Sequence, residues 1–172
     1  MPEGLGIREV PVELRVNGVK HVLRVKPYER LLDTLRRRLG ITSVKDGCGR
    51  GECGACLVIV DGELVPSCLM LTVQARGRDV VTVEGISSRG LHPIQEALIK
   101  VNAPQCGFCI PGVVVAAYWL LEVKGNLNPS DDDVREALST NLCRCGSYHR
   151  FVEAVKIAAE ELRARKALGV RD

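Results

Sequence analysis

Eight cysteines carry the clearest chemistry in this sequence, and the first four lie in or just after one glycine-rich stretch. They are Cys48, Cys53, Cys56 and Cys68. Four residues separate the first two, two residues separate the next two, and eleven residues precede the last. The x4-then-x2 triple is the ligand spacing of plant-type 2Fe-2S clusters. Structural zinc sites favour two C-x2-C knuckles instead, so the spacing favours a two-iron cluster.

The glycines of the same loop fit that chemistry. Four thiolates around an oxidised two-iron cluster leave a net negative charge, which backbone N–H groups must balance. Glycines let the chain wrap closely, because they adopt backbone angles that a Cβ atom would forbid. They are Gly47, Gly49, Gly51 and Gly54. We therefore predict that residues 46–56 form a loop around an anionic cluster.

The other four cysteines form two pairs far apart in the chain. Cys106 and Cys109 stand in QCGFC, and Cys143 and Cys145 stand in NLCRC. Neither pair is specific alone, since C-x2-C also occurs in redox dithiols and in zinc sites. Each pair comes just before a predicted helix, whose N-terminal N–H groups and dipole suit an anion. A second cluster is favoured, and a zinc ion and a thiol–disulfide pair remain open.

The N-terminal half predicts strands and turns that would hold the first loop. Apolar and polar residues alternate on both sides of Asn17-Gly18, which indicates a hairpin. A helix is expected at about 31–39, closed by Gly40. LVIV at 57–60 begins a second hairpin, and RDVVTVEG at 78–85 predicts a last strand. These parts predict a β-grasp, ferredoxin-like domain over residues 1–84.

The C-terminal half predicts helices after a linker at 84–90. One helix begins near Pro93, and a second begins at Pro111, is apolar nearly all round and ends at Gly125. Ser130 is a predicted N-cap before three aspartates, and an amphipathic helix follows from about Tyr148. The predicted fold is α+β, with residues 85–172 forming a four-helix bundle domain.

Composition argues against several classes of function. A formal net charge of +3 and an aromatic content of 3% give no basis for binding nucleic acid. The longest apolar stretch, around 113–121, is far shorter than a membrane span. The first ten residues lack a signal-peptide pattern, so we expect a cytoplasmic protein in which disulfides are disfavoured.

The motifs together resemble the iron–sulfur subunits of the molybdenum hydroxylases, the xanthine oxidase family, which includes aldehyde oxidoreductases and carbon monoxide dehydrogenase. The resemblance runs from about Val12 to Ala158 and rests on GCGRGECGACLV, the eleven-residue gap to Cys68, LHPIQEAL, QCGFC and NLCRCG. It implies an electron-transfer subunit of an oxidoreductase, with two 2Fe-2S clusters and no catalytic residues of its own. Electrons would pass from a molybdopterin-bearing large subunit towards FAD or another acceptor.

The resemblance also implies a role for particular residues. The cluster distal from molybdenum would be held by Cys48, Cys53, Cys56 and Cys68. The proximal cluster would be held by Cys106, Cys109, Cys143 and Cys145. Gln105 would hydrogen-bond the pterin, and Cys145 would lie beside the pterin amino group. The expected partners are the large subunit and a FAD-binding medium subunit, in a dimer of heterotrimers.

Two alternatives stay open at this point. The chain could be a zinc-stabilised interaction module that carries one ferredoxin-like cluster, which iron and sulfide analysis would distinguish. It could also be a stand-alone ferredoxin, which would be a stable monomer. The substrate is not determined by this sequence, because its pocket is expected on another chain.

Overall fold

The computed structural model describes residues 8–169 and shows a mixed β-sheet followed by a helical region. In these residues the sheet has five strands in the order β2-β1-β5-β3-β4. β1 and β5 are parallel, and the other neighbouring strands are antiparallel. The strands are β1 Val10–Val16, β2 Val19–Val25, β3 Leu57–Val60, β4 Glu63–Pro66 and β5 Asp79–Val81.

Both predicted hairpins are confirmed. Asn17 and Gly18 join β1 to β2 with φ angles of 52° and 80°. Asp61 and Gly62 join β3 to β4 with φ angles of 48° and 84°. Two central residues with positive φ are the requirement of the type I′ turn, whose twist matches that of the flanking strands.

The helix predicted at 31–39 is confirmed in position but differs in winding. α1 spans Leu31–Asp33 and continues as a π-helical turn over Thr34–Arg38. The side chains of Leu31, Leu32 and Leu35 are fully buried against the sheet. A 3-10 turn at Thr72–Ala75, which the sequence did not indicate, contacts β1.

The last strand is shorter than predicted, and part of the expected linker is helical. β5 ends at Val81, and α2 spans Val83–Ile86. The Thr82 N–H donates to Asn17 Oδ1 at 2.8 Å instead of to a strand partner. Glu84 then turns back to accept from Thr82 Oγ1 at 2.6 Å. These side-chain bonds end the sheet pairing and begin the helical turn.

The remaining predicted helices are all present. α3 Pro93–Lys100 is capped by His92, and α5 Asp131–Ala137 is capped by Ser130, whose Oγ accepts from the Asp133 N–H at 3.1 Å. α6 Tyr148–Ala167 packs along α3 and α5. α4 Ile110–Tyr118, extended by a π-helical turn to Val123, is the buried helix.

β3 joins the two halves of the molecule. Val58 and Val60 face the core between the sheet and α1, whereas Leu57 and Ile59 pack with α4 in the helical core. All four side chains are buried. A strand covered on both faces needs a continuous apolar run rather than an alternating one, which explains LVIV. Within residues 8–169 no helix is long and apolar enough to cross a membrane.

Candidate metal centres

The first group of cysteines surrounds a tight turn at residues 50–52. Cys48 Sγ accepts hydrogen bonds from the N–H groups of Arg50 at 3.4 Å and Glu52 at 3.3 Å. Between these donors, the Gly51 N–H donates to Cys68 Sγ at 3.2 Å. One short turn therefore directs its backbone donors at two sulfurs that lie 20 positions apart in sequence.

The other two thiols of this group complete the arrangement. The Cys48 side chain lies close enough to Cys53 to influence its ionisation, and the Cys56 side chain lies equally close to Cys68. A Cβ atom on Gly47 would lie only 2.9 Å from Cys53 Sγ. The four thiols thus form two contacting pairs beside one set of N–H donors, and glycine leaves the space that the sulfurs occupy.

The pKa values of two cysteines in this group are shifted in opposite directions. Hydrogen bonding from backbone N–H groups, that of Arg50 above all, lowers the pKa of Cys48 to about 6. Burial raises the pKa of Cys56 to about 11. Because ligand sulfurs must be deprotonated, the protein itself favours the thiolate at Cys48, whereas bound metal must supply the compensating positive charge at Cys56.

The second group brings together the pairs that the sequence separates. The side chains of Cys109, just before α4, and Cys143, before α6, lie close enough to influence each other's ionisation. The N–H of Ser147, the N-cap residue of α6, points at Cys143 Sγ at 3.5 Å. Cys106 is exposed and Cys145 is half-buried at the same end of the helical region. The prediction that each pair precedes a helix is confirmed.

The pKa values of the contacting pair diverge. Burial raises the pKa of Cys109 to about 12. Burial also opposes ionisation of Cys143, but hydrogen bonds from the Ser147 N–H and from Cys109 outweigh it and lower its pKa. The surroundings therefore favour ionisation of Cys143 and oppose that of Cys109.

Gln105 connects the two loops of this second group. Its Nε2 donates to the carbonyl oxygen of Cys145 at 3.3 Å and to Ser147 Oγ at 3.2 Å. The Gln105 side chain is exposed, as is that of the neighbouring Cys106. The amide thus braces the NLCRC loop from the outer face of the protein.

The donor sets suit clusters better than single ions. Over residues 8–169, no set of three or more His, Cys, Asp or Glu side chains is arranged around one ion. All eight cysteines are free thiols. A zinc site would need its four donors at about 2.0–2.3 Å from one centre. Thiols in contacting pairs, with N–H groups directed at the sulfurs, fit a cluster that carries negative charge.

Two family comparisons match almost the whole chain. Residues 14–80 match the family described as "2Fe-2S iron-sulfur cluster binding domain", and residues 82–156 match the "[2Fe-2S] binding domain". The chain is 40% identical to the nicotinate dehydrogenase small FeS subunit of Eubacterium barkeri, over 90% of this chain and 98% of that one. The chain belongs to the iron–sulfur subunits of the molybdenum hydroxylases.

Further relatives and solved structures agree. The nicotine 6-hydroxylase small subunit of Paenarthrobacter nicotinovorans is 45% identical, over 85% of this chain and 87% of that one. A chain of quinoline 2-oxidoreductase from Pseudomonas putida 86 superposes with a TM-score of 0.85 at 39% identity, covering 91% of this chain and 98% of that one. The resemblance seen in the motifs is therefore confirmed, as are two 2Fe-2S domains in one oxidoreductase subunit.

Sequence reasoning missed several residues that shape these centres. Ser147 supplies an N–H to a cysteine sulfur, and the α6 N-terminus was the only indication of it. The Phe108 ring lies close to Gly47, beside the first group, although Phe108 belongs to the second group's QCGFC motif. Asn141 contacts the first loop from the second. The contacts of Phe108 and Asn141 cross between the two halves of the chain, and no local pattern indicates them.

Proposed function

We propose that this subunit carries electrons one at a time from a molybdopterin-bearing large subunit to a second acceptor, FAD on a medium subunit. Each bound 2Fe-2S cluster supplies a one-electron carrier. The observation that supports the proposal is the presence of two four-thiol groups in adjoining loops of one compact chain. The Leu142 N–H, next to Cys143, donates to the carbonyl oxygen of Cys53 at 3.1 Å.

The contacting thiols suggest how each cluster is ligated. A 2Fe-2S cluster takes four thiolates, two on each iron. Cys48, Cys53, Cys56 and Cys68 would hold one cluster. Cys106, Cys109, Cys143 and Cys145 would hold the second cluster.

The exposed end of the second group is the proposed contact with the large subunit. Gln105 and Cys106 are exposed there, and the Gln105 amide is held in place by the carbonyl oxygen of Cys145. Gln105 and Cys145 are the residues that we propose face the pterin. Phe108 and Leu142 add exposed apolar surface close to the cysteines, at 48% and 60% exposure.

The finer description of the fold and the assembly is also a proposal. The strand order with a parallel β1–β5 pair supports a β-grasp domain ending at residue 84. The packing of α3, α4, α5 and α6 supports a four-helix bundle from residue 85 onward. A dimer of heterotrimers and a cytoplasmic location stay predictions.

A cysteine variant tests the assignment of the second cluster. Cys143→Ser should remove one of two distinguishable paramagnetic signals from the reduced protein, because it deletes one thiolate of one centre only. Electron paramagnetic resonance on the natively purified complex measures this, with unfolding checked by circular dichroism. Loss of both signals, or of neither, in a folded protein would contradict the assignment. A stable monomer that never purifies with a molybdenum protein would favour the stand-alone ferredoxin.

A further inference from the structure

The two cysteine loops meet at one backbone carbonyl, that of Gly54. Gly54 directly follows Cys53 of the first group, and its oxygen accepts from Asn141 Nδ2 at 3.3 Å. The next residue, Leu142, donates its N–H to the Cys53 carbonyl at 3.1 Å. Two adjacent hydrogen bonds therefore join segments 87 residues apart in sequence, each within two residues of a cysteine.

This junction leaves no free space. Gly54 has a φ of +66°, and a Cβ atom there would lie 2.7 Å from both Asn141 Nδ2 and the Thr140 carbonyl oxygen. A Cβ atom on Gly112 would overlap the Gly54 carbonyl oxygen and lie 3.0 Å from Asn141 Nδ2. Gly112 stands three residues after Cys109, in α4. The first loop, α4 and the NLCRC segment are thus in contact around Asn141.

Stability alone does not explain an amide at this position. Asn141 is 2% exposed, and among the described residues its Oδ1 has no hydrogen-bond partner. Leaving a buried acceptor without a partner costs about 1–3 kcal/mol. A leucine has a similar shape and would avoid this cost. The part of the amide that has a partner is its NH2 group, which donates across the junction to Gly54.

We propose that Asn141 is a positioning residue that sets the spacing between the two clusters. The inference rests on the proposed function, because it requires both clusters. Asn141 donates a hydrogen bond to the Gly54 carbonyl, and Gly112 allows α4 to approach that carbonyl closely. These contacts fix the position of Gly54, and so they maintain the neighbouring hydrogen bond between Leu142 and Cys53. Electron transfer between two carriers falls steeply with their separation, so a fixed junction favours transfer within the chain.

Asn141→Leu is the primary test, measured on the natively purified complex with iron content checked first. Loss of the donated N–H should raise the amide hydrogen-exchange rate of Leu142 about tenfold, the effect of one lost hydrogen bond. It should also weaken the magnetic interaction between the two reduced clusters. Gly112→Ala, which pushes against the Gly54 carbonyl from the other side, should change both quantities in the same direction.

Asn17→Ala is the matched control. Asn17 lies in the β1–β2 turn and bridges to Thr82, after the end of β5, through two hydrogen bonds of 2.9 and 2.8 Å. This variant should leave the Leu142 exchange rate and the magnetic interaction unchanged. A general loss of stability would therefore not mimic the predicted result.

Each outcome bears on the proposal. Asn141→Leu with four irons, wild-type Leu142 exchange and wild-type magnetic interaction would overturn it. If Asn141→Leu does not retain iron, Asn141→Ala, which removes the same donor without adding bulk, decides: a weakened interaction supports the proposal and an unchanged one overturns it. Failure of the proposed function is distinguishable, because the wild-type complex would then lack two clusters or would not reduce them with substrate, before any variant is made.

Discussion

At the scale of residues, backbone N–H groups and glycines determine which cysteine sulfurs are stabilised as thiolates. Arg50, Gly51 and Glu52 direct three successive N–H groups at the sulfurs of Cys48 and Cys68. A chain reversal with φ near +81° at Gly51 makes this possible. In the proposed centre the thiolates are the metal ligands, and the N–H groups of this loop are the compensating dipoles.

A comparison of two glycines with nearly the same φ angle distinguishes the effect of packing on stability from that of backbone strain. Gly54 has a φ of +66° and a blocked Cβ position, whereas Gly77 has a φ of +75° and nothing within 4 Å. We expect Gly77→Ala to cost about 1–2 kcal/mol from left-handed strain alone. Gly54→Ala should cost more and should also reduce bound iron, because the loop must move away from residues 140–141.

Denaturant unfolding and iron analysis of both variants measure these effects. Equal free energies of unfolding and full iron content in the two variants would show that the contact between Gly54 and Asn141 is not tight. This comparison does not depend on whether the second centre holds iron or zinc.

The sequence predicts ligand roles for the cysteines, but it does not predict the contacts that brace their loops. The spacing predicts Cys48, Cys53 and Cys56 as ligands, because ligand geometry over a short loop limits the number of intervening residues. No spacing rule constrains Asn141 or Phe108, because each contacts the first cysteine loop from the other half of the chain. Their roles depend on tertiary packing alone.

At the scale of elements, the half-buried carboxylate of Glu29 links the turn before α1 to the π-helical turn after it. Glu29 accepts hydrogen bonds from Arg38 Nε and a second Arg38 nitrogen, both at 2.7 Å, and from Thr34 Oγ1 at 2.7 Å. Burial alone would raise the pKa of Glu29. The hydrogen bonds from Arg38 and Thr34 outweigh burial, so the pKa lies below its ordinary 4.5.

This shift predicts an acid-dependent contribution to stability. A carboxyl whose pKa is lowered in the folded state stabilises the protein above its unfolded pKa, and the contribution is lost as pH falls through the folded pKa. Glu29→Gln should therefore be less stable than wild type by about 1–3 kcal/mol at neutral pH. The difference should shrink as pH falls below 4.5.

Thermal unfolding across pH, compared with Glu63→Gln, measures this effect. Glu63 is 71% exposed and pairs with Lys124 at 3.6 Å, so its replacement should change stability little. If the stability difference between wild type and Glu29→Gln is the same at pH 7 and at acid pH, the assignment of Glu29 as a charged, paired carboxylate is wrong.

The elements themselves could largely be predicted from the sequence. Asn17-Gly18 and Asp61-Gly62 fix both hairpins because few residues adopt positive φ at two successive positions. The helix at Val83–Ile86 was missed, because it depends on the side chain of Asn17 from a distant turn. Long-range hydrogen bonds of this kind override local strand propensity.

At the scale of the whole molecule, the end of α4 is fastened to the β3–β4 turn. Trp119 Nε1 donates to the Gly62 carbonyl oxygen at 3.0 Å, and Lys124 Nζ lies 4.8 Å from the centroid of the Trp119 rings. Together with the packing of Leu57 and Ile59 on α4, this contact couples the sheet to the helical region.

Trp119→Phe tests the coupling. Loss of the indole N–H leaves the Gly62 carbonyl without this donor, so the free energy of unfolding should fall by about 1 kcal/mol or more. Tyr28→Phe, at a 56% exposed position, should have an effect within about 0.5 kcal/mol. Denaturant unfolding followed by circular dichroism and by cluster absorbance measures both. An unchanged midpoint in Trp119→Phe would mean that the contact contributes nothing.

Iron, acid-labile sulfide and zinc analysis of the natively purified wild-type protein tests the central claim most directly. Two 2Fe-2S clusters held by eight cysteines require four irons and four sulfides per chain, without stoichiometric zinc. Two irons, two sulfides and one zinc per chain would contradict the account, because Cys106, Cys109, Cys143 and Cys145 would then form a zinc site.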